Sequence, residues 1–471
     1  MSTSFRDPSG KIVIHQDRVF RIINKNGEPD FRTALKSKSL HNFINSGNLV
    51  SIYEPNSNIS IEEIKDVFAI DESEMALIVE HEKIPFPSYP YEWSPEMLYS
   101  AGELTLDLAR QLLNEGFGLK DATPYNILFR GSKPVFVDWL SFESRDLQNP
   151  IWLAQSQFSR TFLLPLMANK YFGLQLNQIF EASRDGLKPE SLYKMSGLFR
   201  KILPPFITTV TIPTLLRSKS QKTPSIYQNQ SSVNPEKAQF ILNCQFKQLS
   251  RRLKKVSPHK NKTSDWTEYV GDNQHFTNEY FQQKRQFVIA SLTDFPAQTI
   301  LDVGCNTGYF SRIAAKTGAN VISIDQDPLV IDKVWQMAKK ENLNILPLVV
   351  DIARPSPAVG WQNTECPSFL NRIKGKVGAV LMLALIHHLL VTERIPLNEI
   401  VKLCSEMTTD TAIIEFIPPD DPMFKQIARG RDQLFENLNA EIFRQVCTKY
   451  FRIIRYEKLA ESNRQIYLLK K

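Results

Sequence analysis

Cysteine is scarce in this 471-residue chain. Its five cysteines, Cys244, Cys305, Cys366, Cys404 and Cys447, stand singly, with no C-x-x-C pair. That spacing excludes a zinc knuckle, a cysteine-ligated cluster or a disulfide framework, and it fits a reducing, cytoplasmic setting. Long apolar runs are missing too. The longest, "GAVLMLALIHHLL", is broken by two histidines and falls short of the ~18 residues that span a bilayer. The first residues, "MSTSFRDPSGK", carry charge with no apolar core behind it, which argues against a secretory leader. Glycines are few and isolated in the first sixty residues, so no G-x-G-x-x-G lies there to cover nucleotide phosphates. No internal repeat or low-complexity tract is present.

What remains is globular: 42% hydrophobic and 23% charged residues, enough for two separate cores at this length. The net charge of +7 is unevenly placed. Residues 217–262 hold eleven Lys/Arg against one acid, Glu236, so the rest of the chain is close to −3. The start of this stretch is rich in Ser, Gln and Asn and reads as a linker. "AQFILNCQFKQLSRRLKK" then sets Phe240, Ile241, Cys244, Leu249 and Leu253 at helical spacing, which predicts a basic amphipathic helix. Three parts are expected: 1–216, a 217–264 linker with that helix, and 265–471. The basic segment leaves open nucleic-acid binding, although Tyr227, Phe240 and Phe246 are its only aromatics for stacking.

In the last part, "TILDVG", "ANVISID", "ILPLVV", "GAVLMLAL" and "TAIIEFI" alternate with helical patterns. That alternation predicts an α/β fold with a doubly wound, mostly parallel sheet binding its ligand at the strands' carboxyl ends. "LDVGCNTGYF" runs from strand through a glycine turn into helix. Gly304 and Gly308 permit a close backbone approach, and Asp325 ends the next strand where a carboxylate can hold ribose hydroxyls. Asn306 stands where a dinucleotide fingerprint needs glycine, and Asp302 would repel a pyrophosphate. An acid there favours a ligand bearing ammonium and sulfonium, so S-adenosylmethionine fits better than NAD.

The D-x-G-x-x-x-G stretch resembles motif I of class I S-adenosylmethionine-dependent methyltransferases, a Rossmann-like family, over roughly 265–471. The resemblance implies cofactor contacts at Asp302, Gly304, Asn306, Gly308, Asp325 and, beside the adenine amino group, Asp351 in "PLVVDIARP". Candidate bases follow the fourth and fifth strands: His387 and His388 in "LALIHHLL", and Glu415, Asp420 and Asp421 in "IIEFIPPDDPMF". Each has a competing structural role, as a satisfied core group or as an orienter of a neighbour. No N-P-P-Y or D-P-P-Y follows the fourth strand, which counts against amide or adenine methylation. The expected acceptor is an oxygen of a small molecule or glycan.

Upstream, "LKDATPYNILFRGSKPVFVDW" resembles the catalytic loop and metal-binding strand of the kinase and aminoglycoside-phosphotransferase superfamily. It implies a base at Asp121 and magnesium ligands at Asn126 and Asp138. The usual His before the base is absent, and Arg21 occupies the nearest slot for the phosphate-clamping lysine. A degenerate kinase-like α+β domain is expected, with no metal required. A bifunctional kinase–methyltransferase and a nucleic-acid methyltransferase are the alternatives. The two-part layout is similar to bacterial nodulation-protein-like (NoeA-type) methyltransferases.

Overall fold

A computed structural model describes residues 6–54, 61–68, 70–220, 233–258 and 278–471. It divides into two units: Met1–Lys260 with Val359–Cys366, and Asn261–Ala358 with Pro367–Lys471. Tyr227, and most of the Ser/Gln-rich stretch expected to be a linker, lie outside the described residues.

The first unit opens with strands β1 (Gly10–His15) and β2 (Arg18–Asn24). With β3 (Ile52–Tyr53) and β4 (Met75–His81) they form an antiparallel sheet of order β1-β2-β4-β3. Val13, Phe20, Ile22, Ile64 and Ile78 fill its inner face. "EPDFRTALKSKSLHNFIN" forms two helices, Glu28–Ala34 and Lys38–Asn45. Ser37 makes the break: its backbone is extended and its hydroxyl accepts from Leu40 N, which caps the second helix.

The long helix Pro95–Leu113 starts with Ser94 as N-cap and Pro95 in the first turn, where a missing N–H is harmless. It leads to β5 (Phe117–Leu119) and then the hairpin β6 (Ile127–Arg130) and β7 (Lys133–Phe136), turning at Gly131; β8 (Phe142–Ser144) pairs with β5. This hairpin places Asn126 and Asp138 at its open end.

The basic helix exists, Pro235–Lys255, but its buried face differs from the expected one and it packs as part of the first unit. Ala238, Leu242, Phe246, Leu249 and Leu253 are buried, at spacings of three and four, while Phe240, Ile241 and Cys244 face outward. Phe246 meets Trp152 at 5.0 Å between ring centroids, and Leu253 fits over Gly102 of the long helix. Several apolar residues competed for the stripe, and Trp152 and Gly102, distant in sequence, chose the phase.

The second unit is a seven-stranded sheet of order β11-β10-β9-β12-β13-β15-β14. Its strands are β9 (Thr299–Val303), β10 (Asn320–Asp325), β11 (Ile345–Val349), β12 (Val377–Met382), β13 (Thr408–Phe416), β14 (Arg452–Lys458) and β15 (Gln465–Lys470). β9 to β13 are parallel, and β15 pairs antiparallel with both β13 and β14. The chain runs outward from β9 through β10 and β11, then returns to β12 on β9's other side. That reversal leaves a crevice at the carboxyl ends of β9 and β12.

Candidate active site

The turn after β9 is shaped by three left-handed residues: Gly304 (φ +70°), Asn306 (φ +47°) and Gly308 (φ +81°). Asparagine is among the few side-chain-bearing residues that adopt this conformation readily, which explains how it replaces glycine here. Gly304 and Cys305 donate their N–H groups to Ile324 O at 2.9 and 3.0 Å, so the turn is pinned to β10. A Cβ on Gly308 would come within 3.0 Å of Val334 and Met337; this glycine serves helix packing below the turn. The helix Tyr309–Ala315 follows directly.

Above the turn is a cavity of about 360 Å³. Of the residues singled out for cofactor contact, Asp302, Gly304, Asn306, Asp325 and Asp351 line it; Gly308 does not. Asp302 is buried and accepts a hydrogen bond from Ser311 Oγ at 2.6 Å. Burial, reinforced by the charge of Asp325, pushes its carboxyl up to about 6. Asp325 accepts from Asn306 N and Asp327 N, both at 3.1 Å, and burial raises its pKa as well. Two acids held together away from water call for a cationic or hydroxyl-rich partner. Asp351 faces the cavity beside Arg354, which it binds at 2.8 Å.

Of the two histidines, His388 lines the cavity and His387 does not. His387 is buried behind it, 4.2 Å from His388 between ring centroids, and neither of its ring nitrogens has a hydrogen-bond partner among the described residues. Burial lowers the pKa of both, and Arg464 lowers that of His388 further, so both are neutral near pH 7.

Glu415 is fully buried and already engaged. Tyr280 Oη donates to it at 2.5 Å and Lys284 Nζ at 2.6 Å, and Arg464 Nη1 lies 3.8 Å away. Burial acts to raise its pKa, but the two cations outweigh this and hold the carboxyl below its usual range. It does not line the cavity; Tyr280, Lys284 and Arg464 do. Asp421 is taken by Arg464 at 2.7 and 3.0 Å and caps the next helix through Met423 N. Asp420 bonds Asn463 and lies off the cavity.

Tyr280, Lys284 and Arg464 were not apparent in the sequence. Tyr280 and Lys284 share one face of the helix Asn278–Asp294 at i, i+4, the one local signal available. Arg464 precedes β15 and reaches Glu415 only because β13 and β15 are neighbours.

In the first unit, Asp138 binds Arg21 Nη1 at 2.6 Å and accepts from Ser141 Oγ, itself bonded by Asn126 Nδ2 at 2.9 Å. Asp121 is near enough that burial and the Asp138 charge raise its pKa. The three residues singled out from the sequence therefore lie together, with an arginine on the carboxylate expected to face metal.

Residues 301–404, from β9 into the helix Leu397–Met407 that precedes β13, match the profile of a methyltransferase domain. The C-terminal unit carries a methyltransferase domain. Along almost its whole length the chain is also similar to nodulation protein NoeA of Rhizobium meliloti (strain 1021), 29% identical over 468 residues, 98% of this chain and 94% of that one. Among solved structures, the N-methyltransferase NodS of Bradyrhizobium japonicum WM9 with S-adenosylhomocysteine aligns with 44% of this chain and 93% of its own, at 14% identity and a TM-score of 0.33. The bifunctional kinase-methyltransferase WbdD aligns with 43% of this chain and 41% of its own, at 19% identity and a TM-score of 0.29. Asp302, Gly304, Asn306, Asp325, Asp351 and His388, which line the cavity, all lie within the matched residues.

Proposed function

We propose that the chain transfers a methyl group from S-adenosylmethionine to an oxygen of a small molecule or glycan. One observation carries this reading: Asp302, Asp325, Asp351 and His388 open onto a single cavity at the switch point of the sheet. Asp302 would hold the ammonium group, Asp325 the ribose hydroxyls and Asp351 the adenine amino group; Gly304 and Asn306 let the backbone come close. When bound, the cofactor supplies a methyl group on a positively charged sulfur, open to in-line attack.

This chain's residues then have two tasks, aligning an acceptor and taking its proton. His388 is neutral and faces the cavity, so it can accept a hydroxyl proton. Tyr280, Lys284 and Arg464 form a rigid polar wall because Glu415 and Asp421 hold them from behind. Incubating the protein with methyl-labelled S-adenosylmethionine and an extract of its source cells should yield a labelled product whose methyl is bonded to oxygen. His388→Gln should lower product formation by ~10²-fold or more, with cofactor affinity by calorimetry within about threefold. A methyl on nitrogen or carbon overturns the acceptor class, and no cofactor binding at all overturns the whole reading.

The clustering of Asp121, Asn126 and Asp138 supports a second reading, a phosphotransferase in the first unit. The Arg21 guanidinium already neutralises Asp138, and that pair must open before a metal ion can bind there. We infer a vestigial site. The expected result is no magnesium-dependent stabilisation of the intact chain by ATP in a thermal melt. A saturable shift abolished by Asp138→Ala would establish the bifunctional alternative.

A further inference from the structure

The helix Leu198–Ile202, sequence LFRKI, has no buried residue. Leu198 is 81% exposed, Phe199 84%, Ile202 64% and the C-capping Leu203 56%. Spaced at i, i+1, i+4 and i+5, they share one side. The helix is not loose: Thr211 Oγ1 donates to Lys201 O at 2.7 Å, and the helix packs against Ile207–Thr211, where Val210 is buried. Met195, Ile212 and Leu216, in the helices before and after, are exposed as well. An exposed cluster of this kind costs the free protein solubility, and it marks an interaction site.

Along the sequence from Ser191 to Leu216 the charges are of one sign, with Glu190 one turn before Lys194 the nearest acid. Lys194 and Arg200 are exposed beside the apolar side chains, and Lys201 lies half-buried with its ammonium 4.0 Å from the centre of the Tyr193 ring. From Ser191 to Leu216 the chain has three Lys/Arg, Lys194, Arg200 and Lys201, and no acid. Apolar side chains at the centre with cations around them match an anionic lipid surface, where the former enter the acyl boundary and the latter meet headgroups. A second copy would bring cation against cation. A nucleic acid would leave Leu198, Ile202 and Leu203 facing water, with Phe199 the one ring among these exposed side chains to stack on a base.

We propose that the first unit docks peripherally on an anionic membrane through this face, without crossing it. No helix among the described residues is long and apolar enough to span a bilayer. The proposal is independent of the methyl-transfer reading.

The test is co-sedimentation of the full chain with phosphatidylcholine vesicles containing ~30% phosphatidylglycerol, at ~50 mM salt. The expected result is binding at least ~10-fold tighter than to phosphatidylcholine alone, weakening several-fold at ~300 mM salt. Phe199→Glu with Ile202→Glu should abolish it, and Lys194→Glu should weaken it. These side chains are exposed, so the fold tolerates the changes, and unchanged circular dichroism and thermal unfolding confirm that. Three outcomes overturn the proposal: no binding to anionic vesicles; equal binding by the double variant; or no vesicle binding while the substitution dissolves a self-associated species or while single-stranded RNA binds.

Discussion

Asp302→Asn is expected to weaken S-adenosylmethionine binding by ~100-fold or more, while the ligand-free second unit becomes as stable as before or more so. The two effects share one cause. Burial raises the folded-state pKa of Asp302 from an ordinary carboxylate value to about 6. The folded chain therefore holds this proton more tightly than the unfolded chain does. Its contribution to stability falls as pH rises from about 4 to about 6, and stays lowered above that. The ionised carboxylate is tolerated because a cationic ligand repays its burial. Asparagine fills the same space and can still meet Ser311, but it carries no charge to repay. Thermal melts of wild type and variant should converge near pH 4 and separate, in the variant's favour, by about 2–3 kcal/mol above pH 6. Calorimetry at pH 7.5 should show the loss of affinity. Normal cofactor binding by the Asp302→Asn protein would remove Asp302 from the ligand site.

Glu415→Ala should be the most destabilising single change in the second unit, costing about 3–5 kcal/mol. It leaves Lys284 buried with no carboxylate, and leaves the Tyr280 hydroxyl without its acceptor. Arg464 is less affected because Asp421 still grips it. Adding Lys284→Met should recover a large part of the loss, since that removes the stranded cation rather than restoring the pair. Thermal unfolding of the four variants in the cycle decides the matter. A catalytic base could be removed with little change in melting temperature, so a stable Glu415→Ala protein without activity would return Glu415 to the role of base.

The doubly wound sheet was legible because strand and helix periods alternate cleanly after residue 299, and the acid–glycine turn sits where β9 gives way to helix. Asp302, Asp325 and Asp351 were legible for the same reason: each lies at or just past the carboxyl end of a parallel strand, and parallel strands end on one side. The network behind His388 was not. Lys284 and Arg464 are about 180 positions apart, and only the antiparallel insertion of β15 beside β13 brings them onto Glu415. Nor could the sequence choose between His387 and His388, since adjacent residues on a short helix point in different directions and the core decides which is covered. Arg21 was placed near the right slot from its strand position, but its bond to Asp138 depends on how the β6–β7 hairpin closes against the first sheet.

The short stretch Val359–Cys366 belongs to the first unit although it lies within the sequence of the second. Glu365 anchors it: Arg6 and Arg184 both bind its carboxylate, and the Arg6 hydrogen bond leads in pulling its pKa down to about 2. A cut at residue 260 would therefore separate the first unit from one of its own segments. Each unit is assembled from stretches that the other interrupts, so a gene divided at that point would encode a first half missing the acid on which two of its arginines converge.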